Sequence, residues 1–485
     1  SWSIHLESMQ NQPQTGQGQH EPKSVVSNNF TSVDNSITCM LITANVGSLF
    51  FLNEDNLTND WIEQFRLTTV KHRPQFIGLH CQEVGGKNYE CHHTTKFVTK
   101  FLEKVLQLPD LASYGRVRIF LDQDFRIEKF TALGNLYFVH DSIKNVEIWN
   151  FNDTNFVAVT DRKIFSGILD DADCIENIKF PKEFHPDITM SRKGFMRSRW
   201  RFEGQQVVEF VNIHLFHDSS NFPALNETPS RYAKIRQRAL EYTLKEIAKP
   251  IEGRGSKLEI PQSDDAGHIK PNSTPTSNDD DKPVAEDAHV PMFIFGDFNF
   301  RLTTNGVIKR ITNGERVGLE TDFEGDYYKF SKCYGSNDGV TVRHKYFGSN
   351  NGLEAIFLAS DNRKWLLEYD NEPEHFKSQL FEFDIKFFPS YPFQEGKFGD
   401  CNYAMTRCPS WCDRILFNKC ARDLIVTNKD CNMNCGNASH QASEISDPKS
   451  ASCDDCVIYK LMGSDVPMGD HKPVMLTCRI MIKNK

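Results

Sequence analysis

Phe293-Ile294-Phe295-Gly296-Asp297-Phe298-Asn299-Phe300-Arg301 is the stretch on which the reading of this chain turns. The apolar run from Met292 to Phe295 predicts a short buried strand. Gly296 breaks it, so Asp297 and Asn299 project from the strand end, on a turn where backbone can approach a ligand. A carboxylate and a carboxamide placed this way suit orienting a water and holding an anionic group. Taken alone, the same residues also describe an Asx-rich turn after a core strand, which is common. The rest of the chain decides between them.

With 485 residues, of which 39% are hydrophobic and 37 are Phe, the chain can bury a large core. No apolar run approaches the ~20 residues of a membrane span. The start at Ser1-Trp2-Ser3 carries no basic-then-apolar leader, which argues against export, and the missing initiator Met points to a fragment or processed chain. The 14 cysteines are scattered, with Cys39, Cys81 and Cys412 inside apolar or motif segments. That usage fits reduced thiols in the cytosol better than a disulfide framework. A net charge of −9 argues against bulk electrostatic binding of nucleic acid. An anionic substrate remains open wherever cations converge locally.

Residues 1–36 are polar and predict disorder, leaving 37–485 as one catalytic domain. Ile37 to Thr43 predicts a core strand that presents Asn45 at its end. Asp60 to Val70 is helical in spacing, and Phe76 to His80 is a strand delivering Cys81-Gln82-Glu83. Arg116 to Leu121, Ala132 to Val139 and Val207 to Leu215 predict strands, the last carrying His214 near its end. Thr228-Pro229 reads as the start of a helix running through Ile247. Arg192, Lys193, Arg197, Arg199 and Arg201 form the local basic cluster, a pattern that ordinarily marks a solvated strand face. Two polar stretches, 252–289 and 418–460, predict inserts, while Asp413 to Phe417 and Val474 to Ile482 predict the last strands. Helices falling between strands make this an α/β sheet protein.

Polar groups recur at the predicted strand ends: Asn45, Glu83, His214, Asp297 with Asn299, and Asp413, joined by Asp470-His471 before the last strand. Open-sheet enzymes assemble sites in this way from distant sequence. Asn45, Glu83 and Asp470 are hard oxygen donors that suit Mg²⁺ with several waters retained. His214 and His471 can grip a phosphate, and Asp413 can fix one imidazole. Singly, an Asn or Glu at a strand end is usually a turn residue and a His usually a structural side chain. Their joint occurrence shifts that balance.

One further motif completes it: Arg407-Cys408-Pro409-Ser410-Trp411-Cys412-Asp413-Arg414-Ile415-Leu416. With the opening stretch it resembles the paired signature of the inositol polyphosphate 5-phosphatases, in particular the type I branch. Thr43 to Phe50, Leu79 to Glu83, Ser191 to Phe195, Val211 to Asp218 and Met468 to Val474 match the same pattern. The resemblance covers about Ile37 to Ile482 outside the inserts. It implies two packed mixed β-sheets flanked by helices, as in DNase I-like nucleases and phosphatases. It implies that Glu83 is the chief Mg²⁺ ligand, with Asn45 and Asp470 close by. It further implies that Asp297 orients and deprotonates the attacking water and that Asn299 binds the scissile phosphate. His471, held by Asp413, and His214 steady the developing charge, while Arg192, Lys193 and Arg414 contact substrate phosphates. The implied substrates are small soluble inositol polyphosphates, inositol 1,4,5-trisphosphate and the 1,3,4,5-tetrakisphosphate, handled by a cytoplasmic monomer that ends calcium signals. A lipid phosphoinositide substrate is the alternative, and a nuclease of the same fold a weaker one.

Two departures stand out. Many family members place a phosphate-contacting Lys after a Phe-x-Pro-Thr-Tyr motif. Here Phe387-Phe388-Pro389-Ser390-Tyr391 is followed by Pro392, which cannot donate a hydrogen bond, leaving Lys386 as the nearby candidate. Type I enzymes also end in a prenylated box, whereas this chain ends Ile482-Lys483-Asn484-Lys485, with Cys478 too early. Peripheral membrane attachment is therefore expected only where a longer chain carries that box.

Cys431, Cys435, Cys453 and Cys456 approach zinc-site spacing, with His440 a spare ligand. The first spacer is three residues and no apolar or Gly-turn framework surrounds the pairs, so the expectation is a solvated, reduced loop. Elemental analysis of the purified protein should accordingly find no stoichiometric zinc. Zinc in the wild type that disappears in Cys453→Ser would contradict this.

Overall fold

The strand through Phe293 forms because its alternating side chains serve two layers at once. Phe293 and Phe295 enter one apolar cluster, while Ile294 enters another on the opposite face. A strand buried on both faces reads as a continuous apolar run, which is why it was legible in the sequence. This is a computed structural model, and it describes residues 35–50, 55–87, 94–188, 191–250, 290–312, 316–331, 339–395, 401–427 and 456–483.

Two mixed sheets carry the fold. In chain order the first uses β1 (Ser36–Asn45), β2 (Phe76–Gln82), β3 (Arg116–Asp122), β4 (Gly134–Val139), β7 (Arg162–Gly167), β18 (Ile458–Leu461) and β19 (Val474–Met481). Its spatial order is β18-β19-β1-β2-β4-β3-β7. The second uses β5 (Val146–Asn150), β6 (Asn155–Ala158), β8 (Glu176–Lys179), β9 (Gly194–Phe202), β10 (Gln206–His214), β11 (Met292–Asp297), β16 (Leu380–Phe381) and β17 (Asp413–Asn418). Its order is β16-β17-β11-β10-β9-β5-β6, with β8 on β9. A smaller sheet, β12 (Arg316–Asp322), β13 (Gly325–Ser331), β14 (Gly339–Arg343) and β15 (Tyr346–Ser349), lies beside them.

The large sheets pack face to face over Leu41, Phe76, Tyr137, Trp200, Phe210, Phe293 and Phe295. Helices α1 (Asp55–His72) and α2 (Thr94–Leu106) cover the outer face of the first sheet, where Trp61 stacks on Phe65 and meets the edge of Phe101. Among the shorter helices are α3 (Phe222–Asn226) and α5 (Thr304–Thr312). Helix α4 (Arg231–Ile247) lays Ala239 and Leu240 on the outer face of the second sheet. The packed sheets flanked by helices are the architecture the sequence led us to expect.

Several boundaries differ from expectation. Helix α4 starts at Arg231, not at Thr228, because Ser230 Oγ accepts from Ala233 N and caps it. The 418–460 stretch is ordered at both ends. Asn418 Oδ1 accepts from Ala421 N at 2.9 Å to cap a helical turn, and Ile458–Leu461 forms β18. Ser36 already pairs with Met481. Residues 1–34, the 251–289 stretch, and Cys431, Cys435, His440 and Cys453 lie outside the described residues.

Gly296 does not break the strand as its type suggested: β11 runs through it to Asp297 with no left-handed backbone, and the reason for glycine is steric. A Cβ there would lie 1.9 Å from the Ile213 carbonyl oxygen of the neighbouring parallel strand. Gly296→Ala should therefore cost about 3 kcal/mol or more, as a clash that backbone must absorb. Denaturant unfolding measures this; a loss below about 0.5 kcal/mol would contradict the close approach.

Candidate active site

Side-chain phase decides which groups meet. Asn45 ends β1 in phase with Leu41, His214 ends β10 in phase with Phe210, and Asp297 ends β11 in phase with Phe295. Asp413 opens β17 in phase with Ile415. Those apolar partners fill the inter-sheet core, so the polar four emerge together where that core ends.

Asp297 is the hub, only 1% exposed. Its Oδ2 accepts from Asn45 Nδ2 at 3.1 Å and lies 3.3 Å from His214 Nε2 and 3.9 Å from His471 Nε2. Its Oδ1 accepts from the Asn299 backbone N–H at 2.9 Å. His471 Nδ1 sits 2.9 Å from Asp413 Oδ2, which also accepts from Ser390 Oγ at 2.7 Å. The Tyr391 ring packs 4.4 Å from the His471 ring. Asp297, Asp413 and His471 come close enough to enclose a metal. The Asp413 hydrogen bond and the proton His471 retains make this trio a carboxylate–imidazolium relay instead.

Burial opposes charge throughout the site, and mutual attraction overrides it unevenly. For Asp297 burial pushes upward, but His471, His214 and Lys193 hold it far below the usual carboxylate range. Burial pushes His471 down, yet Asp413 and Asp297 lift it to about 9. Burial pushes the Asp413 carboxyl up, and the His471 charge opposes that. His214 is lowered by burial and by Lys193, with which it is in contact. Lys193 is itself lowered to about 8 by burial, against the pull of Glu83 and Asp297. Glu83, despite its burial, is held at about 2 by Arg192, His214, Lys193 and His471.

Glu83 adopts a left-handed backbone, φ 56°, a strained conformation for a Glu and the kind that collects at functional sites. Its Oε2 would lie 2.7 Å from a Cβ on Gly47, and Asn45 Oδ1 would lie 3.3 Å from the same point. Glycine thus keeps open a space bordered by two hard oxygens, which fits a divalent cation. Asp470 stands across Ser48 from this space. Its Oδ1 accepts from Ser48 Oγ at 2.9 Å and its Oδ2 from Lys87 Nζ at 2.8 Å.

Asn299, at φ 53°, donates from Nδ2 to Leu215 O at 3.1 Å and accepts at Oδ1 from Arg301 Nη2 at 2.7 Å. One amide hydrogen stays available. Arg301 lies 4.6 Å over the Tyr391 ring, so it fixes the amide from below. Arg192 donates to Gly86 O at 2.7 Å and pairs with Glu83 at 3.5 Å.

Three expectations need correction. Arg414 does not reach the site: it is in phase with Leu416 on the other face of β17, where Asp370 and Glu382 hold its guanidinium. The basic cluster is not a solvated strand face: Arg197 and Arg199 are buried on the outer face of β9 and, with Arg201, pair with Glu176, Glu209 and Glu147, while Arg192 and Lys193 reach the site. Lys386 is exposed and stands apart from the substrate-sized cavity of about 430 Å³ beside Asp470, whose cations are Lys87, Lys345 and Arg407. Ser390, Arg301 and Lys87 were not singled out in the sequence. Ser390 and Arg301 lie inside motifs already noted, while nothing in the sequence marked Lys87.

No protein-family model matches the chain. It is 36% identical over 448 residues to inositol polyphosphate-5-phosphatase A of Canis lupus familiaris, covering 91% of this chain and 93% of the relative. It is 35% identical to inositol polyphosphate-5-phosphatase A of Homo sapiens over 449 residues, with the same coverage. A probable type I inositol 1,4,5-trisphosphate 5-phosphatase of Caenorhabditis elegans is 30% identical, with 91% and 99% covered. Among solved structures, the inositol polyphosphate 5-phosphatase domain of SPsynaptojanin, crystallised with inositol (1,4)-bisphosphate and calcium, matches at TM-score 0.44 and 13% identity, covering 92% and 85%. The relationship rests on the sequence relatives.

The relay sets a pH dependence. His471 is raised above its ordinary 6.5, so in the folded site its charge persists through neutral pH and is lost as pH rises through about 9. Lys193 discharges earlier, near 8. Turnover should therefore fall on the alkaline side in two overlapping steps. Asp413→Asn should move the later step down toward the ordinary histidine range and lower kcat on the order of a hundredfold. A pH–rate profile whose alkaline limb is unmoved by this change would rule out the relay.

Proposed function

The chain belongs to the inositol polyphosphate 5-phosphatase family and is a phosphatase; from that premise we propose that it removes, in a Mg²⁺-dependent reaction, the 5-phosphate of inositol 1,4,5-trisphosphate and inositol 1,3,4,5-tetrakisphosphate. Soluble inositol phosphates are thus its substrates, and it acts in the cytoplasm as a monomer, ending calcium-release signals. Among the described residues no helix is long and apolar enough to cross a membrane. Peripheral attachment belongs to this reading only if a longer chain carries a lipidated end. The observation that carries the proposal is the buried Asp297 carboxylate, held ionised between His214 and His471, with Asp413 behind the latter.

Hydrolysis on this reading is an in-line displacement. The scissile phosphate lies against Lys193 and the unspent N–H of Asn299, and a water sits between phosphorus and Asp297. As the water oxygen attacks, negative charge grows on the phosphoryl oxygens, and the His471 imidazolium stands where that charge develops. Asp297 orients the water and takes its proton as the new P–O bond forms, while the bond from phosphorus to the inositol 5-oxygen breaks on the opposite side and that oxygen leaves as a hydroxyl, protonated from solvent. Its strongly depressed pKa makes it a poor base in the free protein. The anionic substrate offsets the cations around it and raises its basicity when it is needed. His214 Nε2 cannot both accept from Lys193 and donate to Asp297. When the phosphate draws Lys193 away, that nitrogen is freed to donate to Asp297. Glu83 and Asn45 are the residues that would hold Mg²⁺, with Asp470 close by, and the bound ion would supply Lewis-acid polarisation of a phosphoryl oxygen.

Asp297→Ala should lower phosphate release from inositol 1,4,5-trisphosphate by about a thousandfold or more while the protein stays folded. Chelation of divalent metal should have a comparable effect. Unchanged release by Asp297→Ala would mean the assignment of the hub is wrong.

A further inference from the structure

Pro392 lines the cavity beside Asp470 and brings no charge to its wall, and the cations that do line it are unequally spent. Lys87 pairs with both Asp470 and Glu395. Arg407 donates to the Asp218 and Thr406 carbonyls at 3.1 and 3.0 Å. Lys345 lines the same cavity, is exposed, and among the described residues has no hydrogen-bond or ion-pair partner. Its neighbour Arg343 is instead neutralised by Asp322 and Glu324.

Lys345 is nonetheless not a casual surface lysine. It occupies the two-residue turn between β14 and β15, in the small sheet outside the main sandwich. That turn is clamped to the cavity wall by Asn221, itself only 6% exposed. Asn221 Nδ2 lies 3.2 Å from Arg343 O, 3.1 Å from Tyr346 O and 3.0 Å from Thr406 O, while its backbone N–H donates to His344 O at 3.0 Å. Phe347 N–H also donates to Met405 O at 3.1 Å. One buried amide therefore ties the hairpin, the loop after β10 and the segment carrying Arg407 into a single wall. An unpaired ammonium held there has its desolvation still low and its charge free for an anion.

We propose that Lys345 is a specificity-determining residue: it contacts a phosphate of the substrate other than the one hydrolysed, supplying from the accessory hairpin the charge that Pro392 does not. This rests on the function proposed above, since it requires a substrate with more than one phosphate. Asn221 acts as a positioning residue for it.

Steady-state kinetics on inositol 1,4,5-trisphosphate, at two salt concentrations, test the assignment. Lys345→Ala should raise KM about fivefold and Lys345→Glu more, the size expected of one exposed charge-assisted contact, with kcat within about twofold. Lys345→Arg should restore KM, and the salt dependence of KM should be shallower in Lys345→Ala than in the wild type. Lys329→Glu, an exposed charge on β13 outside the cavity, is the control for general steering and should leave KM in place. A wild type that turns over while Lys345→Glu keeps its KM overturns the Lys345 assignment alone, as does an equal rise in Lys329→Glu. No release of phosphate by the wild type overturns the proposed function and this assignment with it.

Discussion

The two sheets are joined at their functional end by amides, not by hydrocarbon. Gln82 Nε2, at the end of β2, donates to Asn212 Oδ1 of β10 at 2.8 Å, and Asn212 Nδ2 lies within 3.2 Å of Cys81 O, Gly134 O and Asn135 Oδ1. Asn135 passes the network to Tyr137, which meets His80 at 2.8 Å and Ser198 at 2.9 Å. All these groups are buried. A buried amide without a partner costs roughly 1–3 kcal/mol, so a register slip or a sliding of one sheet on the other would be penalised several times over. Apolar packing alone is less directional and would tolerate such sliding more easily. One residue further along β2 stands Glu83, and two residues further along β10 His214 pairs with Asp297 of β11, so the mutual placement of Glu83 and Asp297 depends on both sheets. His80 adds to the clasp by stacking 3.6 Å from the Phe295 ring, directly beneath Gly296 and Asp297.

That rigidity explains how so many charges stay together without substrate. The site holds Asp297, Asp413 and Glu83 against His471, Lys193 and Arg192. Each charge is stabilised by its opposites together with neutral hydrogen-bond partners such as Asn45 for Asp297 and Ser390 for Asp413. On the proposed reading, a bound phosphate would shift this balance toward Asp297 regaining basicity. Strain at Glu83 and the glycine at position 47 belong to the same economy: backbone is bent so that oxygen atoms, not carbon, border the space beside Asn45.

Much of this was legible in the sequence because the site lies at the ends of strands buried on both faces. Such strands announce themselves as apolar runs, and the first polar residue after each marks the sheet's end, as with Asn45, His214 and Asp297. What sequence could not supply was phase. Arg414 neighbours Asp413 in the motif but faces away from it, while Lys193, one residue before β9 and in contact with His214, belongs to the site and Arg197, Arg199 and Arg201 along the strand do not. Strands of the accessory sheet were missed for a different reason. Half-exposed and carrying Tyr327, Tyr328 and Lys329 in succession, β13 shows no sustained alternation, and it is held by packing against α5 and by Phe330 in the core. The start of α4 was misplaced because Thr228-Pro229 and Ser230 offer competing helix starts, and only the hydrogen bond from Ala233 distinguishes them.

On the proposed reading, this geometry presents one particular phosphate of an inositol polyphosphate to Asp297. This is tested most directly by incubating the protein with Mg²⁺ and inositol 1,4,5-trisphosphate and assigning the product by ³¹P and ¹H NMR. Inositol 1,4-bisphosphate with one equivalent of inorganic phosphate is the predicted result. A different bisphosphate, or an unaltered substrate, would contradict the account.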